Sequence, residues 1–73
     1  MDPKKVYRAC VWFQNTDIDE ADFLSCHAKD MESLNNKIDN ELRHIREVFE
    51  MKPLFVEVER PEDSGFRIVR DFL

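Results

Sequence analysis

Cys10, Cys26, His27 and His44 are the side chains of this sequence best suited to bind a transition metal or to act as nucleophile and base. Zinc chemistry needs ligand pairs close enough in the chain to converge on one ion, as C-x-x-C or H-x-x-x-H spacing provides. Neither spacing occurs. Cys26 and His27 are neighbours, so on a strand they point to opposite faces. A Cys–His nucleophile would need an accessible thiol in a cleft, whereas the apolar pattern around Cys26 predicts burial. With one glycine in the chain, at position 65, a glycine-rich phosphate loop cannot be built.

The carboxylates fall into two groups. Asp17, Asp19, Glu20 and Asp22 form one acidic stretch; Glu57, Glu59, Glu62 and Asp63 form another. No two of them sit in visibly different environments, so no general acid and base can be assigned. The stretch DIDEAD alternates oxygen donors as a calcium loop does. It lacks the central glycine and the distal bidentate glutamate such a loop requires. The expectation is a non-enzymatic chain with no cofactor and no metal. The acidic groups, including Asp17, Asp19, Glu20, Asp22, Glu62 and Asp63, read first as solvated turns. Their functional alternative is docking on a basic patch of another protein, where complementary charge speeds association.

These residues must be positioned by a small number of elements. Met31, Leu34, Ile38, Leu42, Ile45 and Phe49 recur at intervals of three and four, the spacing of one helix face. Asp30 is the natural N-cap, and Glu32 suits the positive end of the helix dipole. Arg43, His44 and Arg46 suit the negative end. The helix is expected over about 31–50, with Pro53 ending it. Residues 4–14 (KKVYRACVWFQ) and 23–29 (FLSCHAK) predict two strands joined by a polar turn at 15–22. Residues 54–60 (LFVEVER) alternate clearly, PEDSG reads as a turn, and 66–73 (FRIVRDFL) complete the set.

The expected class is α+β: one domain over 1–73, ordered β-β-α-β-β, with one long helix on a four-stranded, mainly antiparallel sheet. The alternative, with residues 17–29 helical, gives β-α-α-β-β and rests on a possible capping box from Thr16 to Asp19. Hairpin register follows from the apolar pattern, because a slip of one residue exchanges the two faces. Opposing Phe13 with Leu24, Val11 with Cys26 and Ala9 with Ala28 gathers Tyr7, Ala9, Val11, Phe13, Leu24, Cys26 and Ala28 on one face. In the second hairpin, Val58 against Phe66 and Val56 against Ile68 extend that face and set Glu57 opposite Arg67. The two cysteines fall on opposite faces, which forbids an intrachain disulfide. The crossover helix places the two hairpin turns, and with them the acidic groups, at opposite ends of the sheet.

One helix covers one face of such a sheet. The other face is expected to carry Arg8, Cys10, Trp12, Phe23, His27, Phe55, Arg67 and Val69. Trp and Arg are enriched where binding energy concentrates. Arg8, Trp12, Phe23, Phe55, Arg67 and Val69 are therefore the expected partner-binding residues.

Whole-chain properties narrow the partner. The 73 residues carry 11 basic and 16 acidic side chains, a formal charge of −5. Net negative charge disfavours nucleic acid, whose recognition rests on neutralising phosphates, and disfavours anionic lipid. No run approaches the length of a membrane span. The polar opening Met-Asp-Pro-Lys-Lys lacks the apolar core of a signal peptide, so the expected setting is soluble and cytoplasmic, with reduced thiols. A domain of this size buries only about 60% of its unfolded surface, and a partner or a second copy is one common source of extra stability. The leading expectation is an interaction module, an inhibitor or adaptor, that binds another protein, a basic partner being the easier to accommodate. The runner-up is a homodimer whose open sheet faces pack together. Nucleic acid stacking on sheet aromatics comes third. Compact chains of this order occur among small regulatory and phage-encoded proteins, an analogy at the level of fold alone.

Overall fold

The computed structural model describes residues 6–73. Lys4 and Lys5, expected in the first strand, lie outside the described residues. The elements are β1 (Tyr7–Asn15), β2 (Glu20–Ala28), α1 (Met31–Arg43), a π-helical turn (His44–Val48), β3 (Lys52–Glu59) and β4 (Arg67–Asp71). The sheet order is β2-β1-β3-β4 and every neighbouring pair is antiparallel. The α+β class and the β-β-α-β-β order hold. The version with residues 17–29 helical does not, because Glu20–Ala28 is a strand paired with β1 along its whole length.

The helix starts where its chemistry directs. Asp30 is extended (φ −144°) and its carboxylate accepts a hydrogen bond from the Ser33 backbone N–H at 2.8 Å. That satisfies one of the four unpaired amides at the helix start. Leu34, Ile38, Leu42 and Ile45 are buried, each at 5% exposure or less, while Met31 is half-buried. The stripe breaks at its end. The last turn widens to π geometry, in which the Phe49 N–H bonds the His44 carbonyl. This displaces Phe49 from the stripe's line, and it remains 37% exposed with its ring 5.7 Å from that of Phe13.

Pro53 does not end the helix. Glu50 does, by entering the left-handed region (φ 57°), after which the Met51 N–H closes on the Ile45 carbonyl. Pro53 lies inside β3, buried opposite Phe13. A proline fits this inner strand because the ladder is interrupted there: Trp12 pairs with Phe55 and Phe13 with Pro53, leaving Leu54 as an extra residue.

The first hairpin slips by two residues from the expected register. Tyr7 pairs with Ala28, Ala9 with Cys26, Val11 with Leu24 and Phe13 with Asp22. The cause is a shorter loop, Thr16–Asp19, in which the Asp17 N–H bonds Asn15 Oδ1 and Asp19 takes φ 55°. A slip of two preserves the faces, so the helix-side set from the first hairpin stands.

The second hairpin departs further. Val58 pairs with Arg67, Glu57 with Ile68, and Val56 with Arg70, so Val69 is the extra residue of a bulge. Arg67 therefore shares a face with buried Val58, and Glu57 does not oppose it. Phe66 and Ile68 are 40% and 56% exposed and do not join the core. On the helix side β4 offers Arg70 instead, whose guanidinium meets Asp39 of α1 at 2.8 Å. Phe72 packs against the core beneath Arg46, whose guanidinium lies 5.3 Å from the ring centre. Gly65, at φ 139°, supplies the backbone shape of the β3–β4 turn, and its N–H bonds Glu59 Oε2.

The buried residues form one cluster: Ala9, Val11, Phe13, Ala28, Leu34, Ile38, Leu42, Ile45, Val56 and Val58. It lies between α1 and one face of the sheet. Among the described residues, no helix is long and apolar enough to cross a membrane.

Candidate interaction surface

Strand order decides what the uncovered face looks like. β1 sits inside the sheet, between β2 and β3, so Trp12 has a cross-strand partner on each side: Phe23 on β2 and Phe55 on β3. The Trp12 and Phe23 ring centres are 4.8 Å apart, tilted by 40°. Trp12 and Phe55 are 5.8 Å apart and stacked at 22°. The three rings form one continuous row across three strands. Phe23, on the outer strand, is 44% exposed, while Trp12 and Phe55 are half-buried.

A polar row lies beside the aromatic one. Cys10 has Ser25 on one side and Glu57 on the other, with Ile68 beyond on β4. Glu57 is bound into the aromatic row, because Trp12 Nε1–H donates to its Oε1 at 2.8 Å. The next row is His27, Arg8 and Glu59. Between these two rows Arg8, Cys10, Ser25, His27 and Phe66 line a shallow depression.

The setting of both thiols disfavours the thiolate. Burial raises the pKa of Cys10, and the charges of Glu57 and Glu59 raise it further. Burial also raises that of Cys26, reinforced by Glu41 and partly offset by Lys37 nearby. Both are free, and they sit on opposite faces as expected: Cys10 pairs with Ser25 and Cys26 with Ala9. Cys10 and His27 stand diagonally across β1 and β2, and no hydrogen bond joins their side chains. Among the described residues, no three His, Cys, Asp or Glu side chains gather as a metal site would require.

Of the six expected partner-binding residues, Arg8, Trp12, Phe23 and Phe55 are on the open face together. Arg67 is on the helix side, across from Val58, and Val69 is the bulged residue of β4, 52% exposed. Ile68 takes the place expected for Arg67. Glu57 and Glu59 stand on the open face, in the rows of Cys10 and Arg8, and not in the acidic turn that holds Glu62 and Asp63. The alternation Phe55–Glu57–Glu59 carried that signal. Glu57's bond to Trp12 was not legible, because it depends on β1 lying beside β3. The acidic groups do fall at opposite ends: the β1–β2 loop closes one end of the sheet and the β3–β4 loop the other. No protein-family model, curated protein or solved structure matches this chain.

Proposed function

We propose that this chain is a non-enzymatic interaction module, an inhibitor or adaptor, that binds another protein through its open sheet face. The observation that carries this reading is the continuous Phe23–Trp12–Phe55 row, which the single helix leaves uncovered. Large aromatic side chains lose little rotamer freedom on binding and supply much contact area, so they recur where interfaces concentrate their energy. Arg8, Glu57 and Glu59 beside the row provide the polar rim that fixes orientation and excludes wrong partners. A partner with basic groups fits the formal charge of −5 and the acidic loop that adjoins the Phe23 end. The non-enzymatic part is supported by the thiols, whose pKa values burial raises, away from the nucleophilic thiolate.

The test is affinity capture from lysate of the source organism with three baits: wild type, Trp12→Ala and a charge reversal of Asp17, Asp19 and Glu20. Circular dichroism first establishes that each bait is folded. A partner captured by wild type and lost with Trp12→Ala supports the face. Loss only on charge reversal moves the contact to the acidic loop, and undiminished capture by both variants refutes the reading.

A further inference from the structure

The aromatic row cannot be covered without covering Glu57. This side chain is half-buried on the open face, with its carboxylate bonded to the Trp12 indole. Its neighbours across the strands are Cys10 and Ile68, and those along β3 on the same face are Phe55 and Glu59. None of the four is a cation. Trp12 Nε1–H occupies Oε1; among the described residues, Oε2 accepts no hydrogen bond. Glu59 repeats the arrangement one row on, with its Oε2 held by the Gly65 N–H. Both carboxylates are thus fixed by neutral donors and left without a counter-charge.

The cations of the same face do not offset them. Arg8 stands across from Glu59 and Lys52 across from Gln14, on either side of the aromatic row. Neither forms an ion pair: among the described residues the one ion pair is Arg70–Asp39, on the helix side. Asp71, across from Phe55, adds a third carboxylate at the β4 end of the row. Cys10 registers the local field. Burial raises its pKa, and Glu57 and Glu59 raise it further, with no positive charge among the described residues lowering it.

While water reaches Glu57, its charge is solvated. A partner seated on the Trp12 row removes that water, and an ionised carboxylate buried without a counter-charge is strongly disfavoured. Such a partner must bring a cation to Oε2. From this, and resting on the reading of the open face as the binding surface, we infer that the face recognises an arginine side chain of the partner protein, its guanidinium set on Glu57 beside Trp12 and Phe55. Arginine suits this place better than lysine. Its guanidinium is planar and weakly hydrated, packs on aromatic rings and presents several donors in a fixed fork to a carboxylate.

The chain has one tryptophan, so a single indole N–H signal in heteronuclear NMR reports on the group bonded to Glu57. That signal is followed in the full chain during titration with a capped tripeptide of arginine between two alanines. A second titration uses the citrulline counterpart, which keeps the side-chain shape without the charge. The arginine peptide is expected to shift the signal saturably, and the citrulline peptide to bind about tenfold more weakly. Glu57→Gln keeps an oxygen for the indole N–H and removes the charge, so it should lower the arginine affinity to that of citrulline. Glu32→Gln removes the same charge from the start of α1 and leaves the affinity unchanged. As a capture bait, Glu57→Gln should lose the partner that Trp12→Ala loses. A flat indole signal with the arginine peptide overturns the inference, as do equal affinities for the two peptides or an undiminished affinity in Glu57→Gln. A partner lost with Trp12→Ala but kept by Glu57→Gln also overturns it, while leaving the aromatic row as the binding surface. A partner kept by both overturns that reading as well.

Discussion

The Trp12 indole is held from three directions, by Phe23, by Phe55 and by the bond from its own N–H to Glu57. The bond fixes the ring's orientation and the stacking fixes its depth. Trp12→Phe keeps an aromatic ring but removes the donor, leaving Glu57 without this partner. A loss of about 1 kcal/mol is expected for a partly exposed hydrogen bond of this kind, measured as a lower urea midpoint at unchanged slope. The two thiols make a second prediction at this scale. Burial holds both above the ordinary value of 9.0, so folding favours their protonated forms. That contribution to stability is complete below pH 9 and is lost as the pH climbs through the raised folded values. Alkylation at neutral pH should accordingly be slower in the folded chain than in urea. Equal rates in the two states would show that the thiols are ordinary.

Among the elements, the helix was the most legible because its information is local. Asp30 caps it, Glu32 follows, and the apolar spacing from Met31 to Ile45 needs no knowledge of other elements. The pattern misled where tertiary geometry intervened. Phe49 continues the arithmetic of the stripe, yet the π turn moves it aside. Pro53 looks like a terminator because proline usually is one, and the bulge that admits it to β3 exists only once β1 is alongside. The hairpins show the same division. Alternation named the faces of β1 and β2, but loop length set the register, and Asp19's left-handed backbone shortened that loop. In β4 the bulge at Val69 reversed the faces of Arg67 and Ile68, which no local pattern announces. Strand order was not legible at all, and with it the adjacency of Phe55 to Trp12. Two substitutions check the ends of α1 in opposite directions. Asp30→Ala removes the cap and should cost about 1 kcal/mol. Glu50→Gly relieves a left-handed residue that carries a side chain and should raise stability by up to about 1 kcal/mol. Urea unfolding reads both; a neutral result for Asp30→Ala would mean that water caps the helix as well as the carboxylate does.

At the scale of the molecule, one helix and four strands yield a single layered core with one covered face and one uncovered. Aromatic rings on an open sheet face are also what single-stranded nucleic acid stacks upon. The charge balance of −5 opposes that use, because phosphate must be neutralised to be held. Fluorescence titration of Trp12 with oligonucleotides at low salt should therefore show no saturable change, and a salt-sensitive saturating change would return nucleic acid to first place. The most direct measurement is quantitative capture of lysate proteins on folded wild-type and Trp12→Ala baits, with Asn36→Ala on the exposed side of α1 as the control. The expected result is a partner retained by wild type and Asn36→Ala and reduced about tenfold or more by Trp12→Ala. A partner held equally by all three, or no partner held by any, would contradict the assignment of this face.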